Sequence, residues 1–173
     1  MSIYLTADEH YNHEKIIQYC TRPFKDTKEY KHNMIKWHNE IVEPNDTVYH
    51  LGDFYFGDNW KDMATILNKL NGRHHLIIGN HDWMYIWNYI EAGFISVHTS
   101  LTIPFRTFDN GLSSEVTLVH DPAVAGVLRD KFFIHGHTHG LGQRLNKNSF
   151  CVSVECIDYK PINLKDITFE EGI

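Results

Sequence analysis

The chain has 173 residues, 42% of them hydrophobic and 22% charged, enough to bury a core without staples and with no sign of disorder or of a fibre. Its formal net charge of −6 argues against a broad electrostatic footprint for nucleic acid or an acidic membrane, so any phosphate affinity is expected to be local. Cys20, Cys151 and Cys156 are odd in number and lack a C-x-x-C spacing, so they read as buried thiols and not as a disulfide framework.

The start, Met1 to Asp8, has no basic segment ahead of an apolar stretch, and no apolar run reaches bilayer length, so a cytoplasmic protein without membrane contact is expected. Ile3 to Ala7 reads as a buried strand that delivers Asp8 and His10 into a loop. Asn12 or His13 then opens a short helix through Glu14 to Cys20, which stops before Pro23. A better-marked helix follows, because Asp26 and Glu29 have capping-box spacing and Tyr30, Met34, Trp37 and Ile41 recur at helical period until Pro44-Asn45-Asp46.

Thr47 to Leu51 is expected to be a strand, Asn59 to Leu70 a helix with Trp60, Met63, Leu67 and Leu70 on one face, and His74 to Ile78 the next strand. That order is a βαβ unit with Gly72 as the helix stop. Asp82 is expected to cap a helix from Trp83 to Glu91, closed by Gly93. The second half is strand-rich: Leu101, Ile103 and Phe105 alternate with Thr102, Pro104 and Arg106, Asp109-Asn110-Gly111 signals a turn, and Glu115 to Val119 is a strand. Phe132 to Ile134 and Phe150 to Val154 are two more candidates around the Gly136 to Gly142 loop. With no internal repeat or linker, residues 1–173 read as one domain of sheets covered by helices. Beyond Asp158 only an apolar pattern of Ile162, Leu164, Ile167 and Phe169 is visible.

Five short stretches, Asp8-x-His10, Gly52-Asp53, Gly79-Asn80-His81-Asp82, Val119-His120 and Gly136-His137-Thr138-His139, nearly all follow an apolar run. Carboxylate, imidazole and one amide, with no thiolate, suit a pair of borderline divalent cations, and such a pair commonly serves hydrolysis at phosphorus. Residues two apart at an extended strand end can turn to one point, as Asp8 and His10 would, while Glu9 faces away. Taken singly each stretch has a bland reading, an aspartate cap or a satisfied histidine; their joint occurrence in this order does not.

The chain resembles the calcineurin-like metallophosphoesterases. The match of D-x-H, G-D, G-N-H-D, a lone H and G-H-x-H covers residues 8 to 139. It is especially similar to a small, compact bacterial and phage-type group in which the first motif continues as Asp8-x-His10-x-x-His13-x-x-Ile16-Ile17 and is followed by Arg22-Pro23-Phe24. The resemblance implies an α/β (α+β) fold, a four-layer sandwich of two mixed β-sheets flanked by helices. It implies one ion bound by Asp8, His10, Asp53 and His139, and a second by Asp53, Asn80, His120 and His137, with manganese the favoured metal over iron, zinc, cobalt or nickel. His81 matches the non-ligand histidine that contacts phosphate and assists the leaving group, with Asp82 or Asp58 as the carboxylate that would keep it cationic. The activity implied is hydrolysis of a small phosphodiester or nucleotide through a metal-bridging hydroxide. After Gly52-Asp53 come Phe54, Tyr55 and Phe56, so the further aspartate and the arginine of the Ser/Thr protein phosphatase branch are missing. A nuclease on DNA or RNA, and a non-catalytic interaction module on the same fold, are the alternatives.

Arg22 and His13 are weaker candidates for contact with a substrate phosphate, set against a capping or stacking role for the arginine and a solvent-facing helix start for the histidine. His50 and His135 read as structural, and His32, His38, His74, His75 and His98 carry no functional argument. Tyr11, Trp83, Tyr85 and Trp87 have the composition of a base-stacking pocket, but aromatics at helical spacing more often belong to a core.

Overall fold

The computed structural model describes residues 1–106, 113–124, 131–142 and 144–169. A first sheet is built from β1 (Ile3–Thr6), β2 (Thr47–His50), β3 (Arg73–Ile77), β4 (Ser96–His98) and β9 (Ile162–Asn163), in the order β4-β3-β2-β1-β9. Its first four strands run parallel and β9 joins antiparallel at the edge of β1. The second sheet, in the order β5-β6-β7-β8, combines β5 (Leu101–Arg106), β6 (Ser113–Leu118), β7 (Phe132–His135) and β8 (Ser149–Cys151); only β5 and β6 pair antiparallel. Both sheets are thus mixed, and with helices they form an α/β architecture, as expected.

Strand alternation divides the core in two. In β3, Leu76 faces a layer containing Tyr30 and Met34 of α2 (Thr27–Ile41), Met63 and Leu67 of α3 (Trp60–Leu67) and Tyr89 of α4 (Ile86–Ala92). The next residue, Ile77, faces the opposite way and joins Leu5, Leu51, Val116, Leu118 and Ile134 between the sheets. α1 (Ile16–Tyr19) is a single short turn whose Ile16 is buried. The start of α2 follows its sequence signal closely: Asp26 accepts from the Glu29 amide at 2.8 Å, and the Glu29 carboxylate accepts from the Lys25 amide at 2.8 Å. Such a cap contributes about 1 kcal/mol.

Three expectations need correction. α4 begins at Ile86 with Tyr85 as its N-cap, not at Trp83, because the Asp82 carboxylate instead accepts from the Gly79 and Asp53 amides at 2.7 and 2.8 Å. β4, an edge strand too short to show a period, went unread in the sequence. The C-terminal stretch is more than an apolar pattern, since β9 closes the first sheet and Leu164, Ile167 and Phe169 enter the inter-sheet core. The turn expected at Asp109-Asn110-Gly111 lies outside the described residues. Cys151 is buried, whereas Cys20 and Cys156 are partly exposed. Among the described residues no helix is long and apolar enough to cross a membrane.

Candidate metal centre

Parallel neighbours release their chains at the same edge, so β1, β2 and β3 deliver Asp8, Asp53 and Asn80 side by side, while β6 and β7 deliver His120 and His137 from the facing sheet. Backbone bonds zip these exits together. The Asp8 amide donates to the Gly52 carbonyl at 3.0 Å, the His10 amide to the Asp53 carbonyl at 2.8 Å and the Gly136 amide to the His120 carbonyl at 3.1 Å. A bridge between Ala7 and Ser153 ties the first sheet's exit to the segment after β8. Gly52 makes the crowding possible: its φ is 89°, and a Cβ there would lie 2.3 Å from His120 Nδ1.

Asp8, His10, Asp53, His137 and His139 all have positive φ, between 47° and 69°. This left-handed conformation is uncommon for residues with a Cβ, although Asp and His tolerate it better than most, and it costs of order 1–3 kcal/mol per residue. Five such residues at one spot mark a place where side-chain direction matters more than backbone comfort.

Two groups of donor atoms result. In one, Asn80 Oδ1 lies 2.9 Å from His120 Nε2 and 2.8 Å from His137 Nδ1, and the two ring nitrogens are 3.2 Å apart. The Leu51 carbonyl accepts from His120 Nδ1 at 2.8 Å, so that in the neutral ring the lone pair would lie on Nε2, facing the Asn80 oxygen. Two acceptors so placed repel unless a cation lies between them. Donors bound about 2.0–2.2 Å from one ion stand roughly 2.8–3.6 Å from each other, depending on the coordination angle, so these spacings, which are also those of hydrogen bonds, are compatible with a shared ion.

The other group joins Asp8, His10 and His139, which offer ligand atoms within 4.8 Å of one another. Asp8 is fully buried; its Oδ2 accepts from the His137 amide at 2.8 Å and from Ser153 Oγ at 2.7 Å, which leaves Oδ1 without a hydrogen-bond partner and 3.9 Å from His139 Nε2. Between the groups stands Asp53. Its Oδ2 is 3.5 Å from His10 Nε2 and 3.5 Å from His120 Nε2, while its Oδ1 accepts from the His81 amide at 2.8 Å.

Burial dominates the electrostatics. It pushes the Asp8 pKa up to about 6, against the pull of His120 and His139, and drives His10 down to about 2, keeping its ring in the neutral form that can ligate. Burial also opposes charge on His139, but hydrogen bonds to Cys20 and Glu155 and the carboxylates of Asp8 and Glu155 outweigh it and hold that pKa at about 10, so a metal ion at this ring would have to displace its proton. Asp82, spent on two amides, is raised to about 7 by burial.

His81 sits at the rim with its ring 5.3 Å from that of His10, and its Nδ1 has no hydrogen-bond partner. Asp82 faces the backbone and is not its carboxylate partner. His13 stacks on Phe56 at 4.0 Å and lies 5.5 Å from the His10 ring, so it borders the site. Arg22 does not face a substrate. It is 4% exposed, with Nε and Nη2 on Glu155 Oε1 at 2.8 and 2.7 Å and its remaining donors on the Asp8 and Glu9 carbonyls at 2.7 and 3.0 Å. It braces the back of the Asp8 loop.

The fold also brings in two residues that no motif marks, Ser153 behind Asp8 and Glu155, whose Oε2 lies 3.2 Å from His139 Nδ1. Ser153 falls in the predicted strand Phe150 to Val154 and Glu155 directly after it, which is the one signal the sequence offers for them. His50 and His135 stand behind the site, the first 2.5 Å from Glu9 Oε1 and the second 2.8 Å from the Gly136 carbonyl.

No family model matches the sequence. The chain is 36% identical over 171 residues to the uncharacterized protein MJ1445 of Methanocaldococcus jannaschii, covering 94% of this chain and 86% of that one. It is 25% identical over 179 residues to the gene 66 protein of Mycobacterium phage L5, covering 88% and 86%. Among solved structures, the AQ665 protein of unknown function from Aquifex aeolicus superposes with a TM-score of 0.68 at 24% identity, over 94% of this chain and 95% of that one. A protein from Streptococcus pneumoniae described as a predicted phosphoesterase aligns at a TM-score of 0.42 and 13% identity, over 90% and 72%.

Proposed function

We propose that this chain, which belongs to the same family as the M. jannaschii protein MJ1445, is a calcineurin-like hydrolase of a small phosphodiester or nucleotide that works with two divalent metal ions, manganese first among them. One observation carries the reading: a single carboxylate oxygen, Asp53 Oδ2, stands 3.5 Å from a ring nitrogen of each donor group. A carboxylate so placed suits two ions that share it, and the unpartnered Asp8 Oδ1 and the facing lone pairs of Asn80 and His120 fit cation binding at the two sides. Asp8, His10, Asp53 and His139 would hold one ion, and Asp53, Asn80, His120 and His137 the other.

When bound, such ions polarise phosphoryl oxygens and make hydroxide available near neutral pH. The chain's own contribution is orientation. Leu51 and Glu155 fix the rings of His120 and His139, Ser153 and the His137 amide hold Asp8, and Arg22 anchors Glu155. His81, tied to Asp53 through its amide, would donate a proton to the leaving oxygen or stabilise charge on phosphorus.

The test is hydrolysis of bis(4-nitrophenyl) phosphate alongside elemental analysis. Chelation is expected to abolish turnover, and manganese to restore it together with two ions per chain. Full activity after verified metal removal would end the proposal.

A further inference from the structure

The segment from Trp83 into the first turn of α4 presents three large aromatic rings to solvent. Trp83, Tyr85 and Trp87 are 64%, 83% and 77% exposed, although the sequence places them in a predicted helix; the buried side of α4 belongs to Tyr89 and Ala92. Trp83 is nevertheless held, since its Nε1 donates to the Asn80 carbonyl at 2.5 Å. From there the rings run without a break into the metal centre: Trp83 lies 5.4 Å from His81 and 5.5 Å from Phe56, and Phe56 stacks on His13. Beside this run is a cavity of about 450 Å³ lined by Gly57, Asp58, Trp83, Met84, Tyr85 and Asn88, a volume within the range of small-ligand sites. Large ring faces, one carboxylate and one amide are the groups that stack on a planar heterocycle and hydrogen-bond its edge.

We propose that this cavity receives the nucleobase of the substrate, stacked against Trp83 and Tyr85, so that the phosphoester presented to the metal centre is that of a small nucleotide. The proposal rests on the hydrolase reading above for the phosphate end. Asp58 at the rim and the net charge of −6 disfavour a long polyanion, which would need a basic track beside the rings. Continuity with the His81 loop sets the occupant: Trp83, which lines the cavity, lies 5.4 Å from the ring of His81, the proposed proton donor, so a nucleoside carrying the reacting phosphate is the ligand that would join the two.

Two measurements separate the base site from the chemistry. The first titrates tryptophan fluorescence with adenosine monophosphate and with ribose 5-phosphate. The base-bearing ligand is expected to bind about 5- to 150-fold more tightly, the range one stacked base supplies. Tyr85→Ala, at a surface position whose loss leaves the core intact, should remove most of that advantage, and Trp83→Phe, which keeps a ring, should retain it. The second compares KM for the 4-nitrophenyl ester of thymidine 5′-monophosphate with that for methyl 4-nitrophenyl phosphate. A lower KM for the nucleotide, lost in Tyr85→Ala, supports the proposal. Hydrolysis of both esters with equal KM overturns the base site and spares the hydrolase reading; base-dependent binding without hydrolysis of either ester does the reverse. Equal affinity for the two phosphates, with a dimer that Tyr85→Ala dissociates in sedimentation, would assign the aromatic surface to a second copy of this chain and overturn the proposal.

Discussion

Two histidine clusters, one at the strand exits of the first sheet and one on its helix side, do opposite things with the same side chain. At the strand exits His10, His120, His137 and His139 turn nitrogens toward one another and toward carboxyl and amide oxygens, at spacings that suit a cation. On the helix side His50 and His74 form a hydrogen-bonded chain, Glu9 Oε1 to His50 at 2.5 Å, His50 to His74 at 3.0 Å and His74 to the Leu70 carbonyl at 3.3 Å, with the His38 ring 5.7 Å from that of His74 and bonded separately to the Asn71 carbonyl at 2.7 Å. Burial depresses the pKa of all three, to about 4 for His38, 3 for His50 and 2 for His74, so these rings are neutral members of the core. What distinguishes the two clusters is the company of the rings, carboxyl and amide oxygens with unpartnered atoms at the strand exits and a satisfied core on the helix side, not residue type.

The largest break in that comparison is expected from Asp53, which touches both donor groups. Asp53→Ala should lose both ions and fall to the activity seen after chelation, with elemental analysis as the check; two ions per chain in the variant would contradict its bridging role. Next comes His81→Ala, expected to retain two ions and lose about 10²- to 10⁴-fold in rate. If the ring protonates the leaving oxygen, the loss should shrink for nitrophenyl diesters relative to alkyl ones; a uniform loss points to charge stabilisation, and an unchanged rate removes His81 from the mechanism.

The helix-side cluster should answer to pH instead of to metal. The His38 pKa of about 4 lies below the ordinary histidine value of 6.5, so its contribution to stability is fully present above pH 6.5 and is lost as pH falls toward 4. At 1.36 kcal/mol per pKa unit the loss is about 3 kcal/mol. Denaturant midpoints of metal-free protein and of His38→Gln between pH 7 and 4.5 test this, and a slope equally steep in the variant would exclude His38 as the source. The smallest effect is expected from Glu155→Gln, which weakens the orientation of His139. It should reduce metal affinity at the Asp8 side by about 10- to 100-fold and leave the Asn80 side nearly unchanged, as calorimetric titration would resolve. Equal losses at both sides would erase the distinction between the two donor groups.

Much of this was legible in the chain itself. Apolar runs ending in Asp8, Asp53, Asn80, His120 and His137 state both a strand and its exit residue, because strand period and donor type are local properties of a few neighbouring residues. The α2 cap was readable for the same reason. Partners distant in sequence were not. Nothing near Arg22 says that its guanidinium closes on Glu155, 133 positions away, nor that Ser153 reaches Asp8 across 145, and so the arginine read as a phosphate contact. Asp82 read as a helix cap because its spacing allowed it, while two amides made available by the meeting of β2 and β3 took its carboxylate first. Trp83 and Tyr85 fall within the predicted helix from Trp83 to Glu91 yet lie on the surface ahead of it, since α4 starts only at Ile86. The sequence by itself determined which residues leave the strands and what donors they carry. Only the tertiary structure decided which of those groups meet, because a buried polar atom takes the partner that the packing of distant elements brings within hydrogen-bond reach.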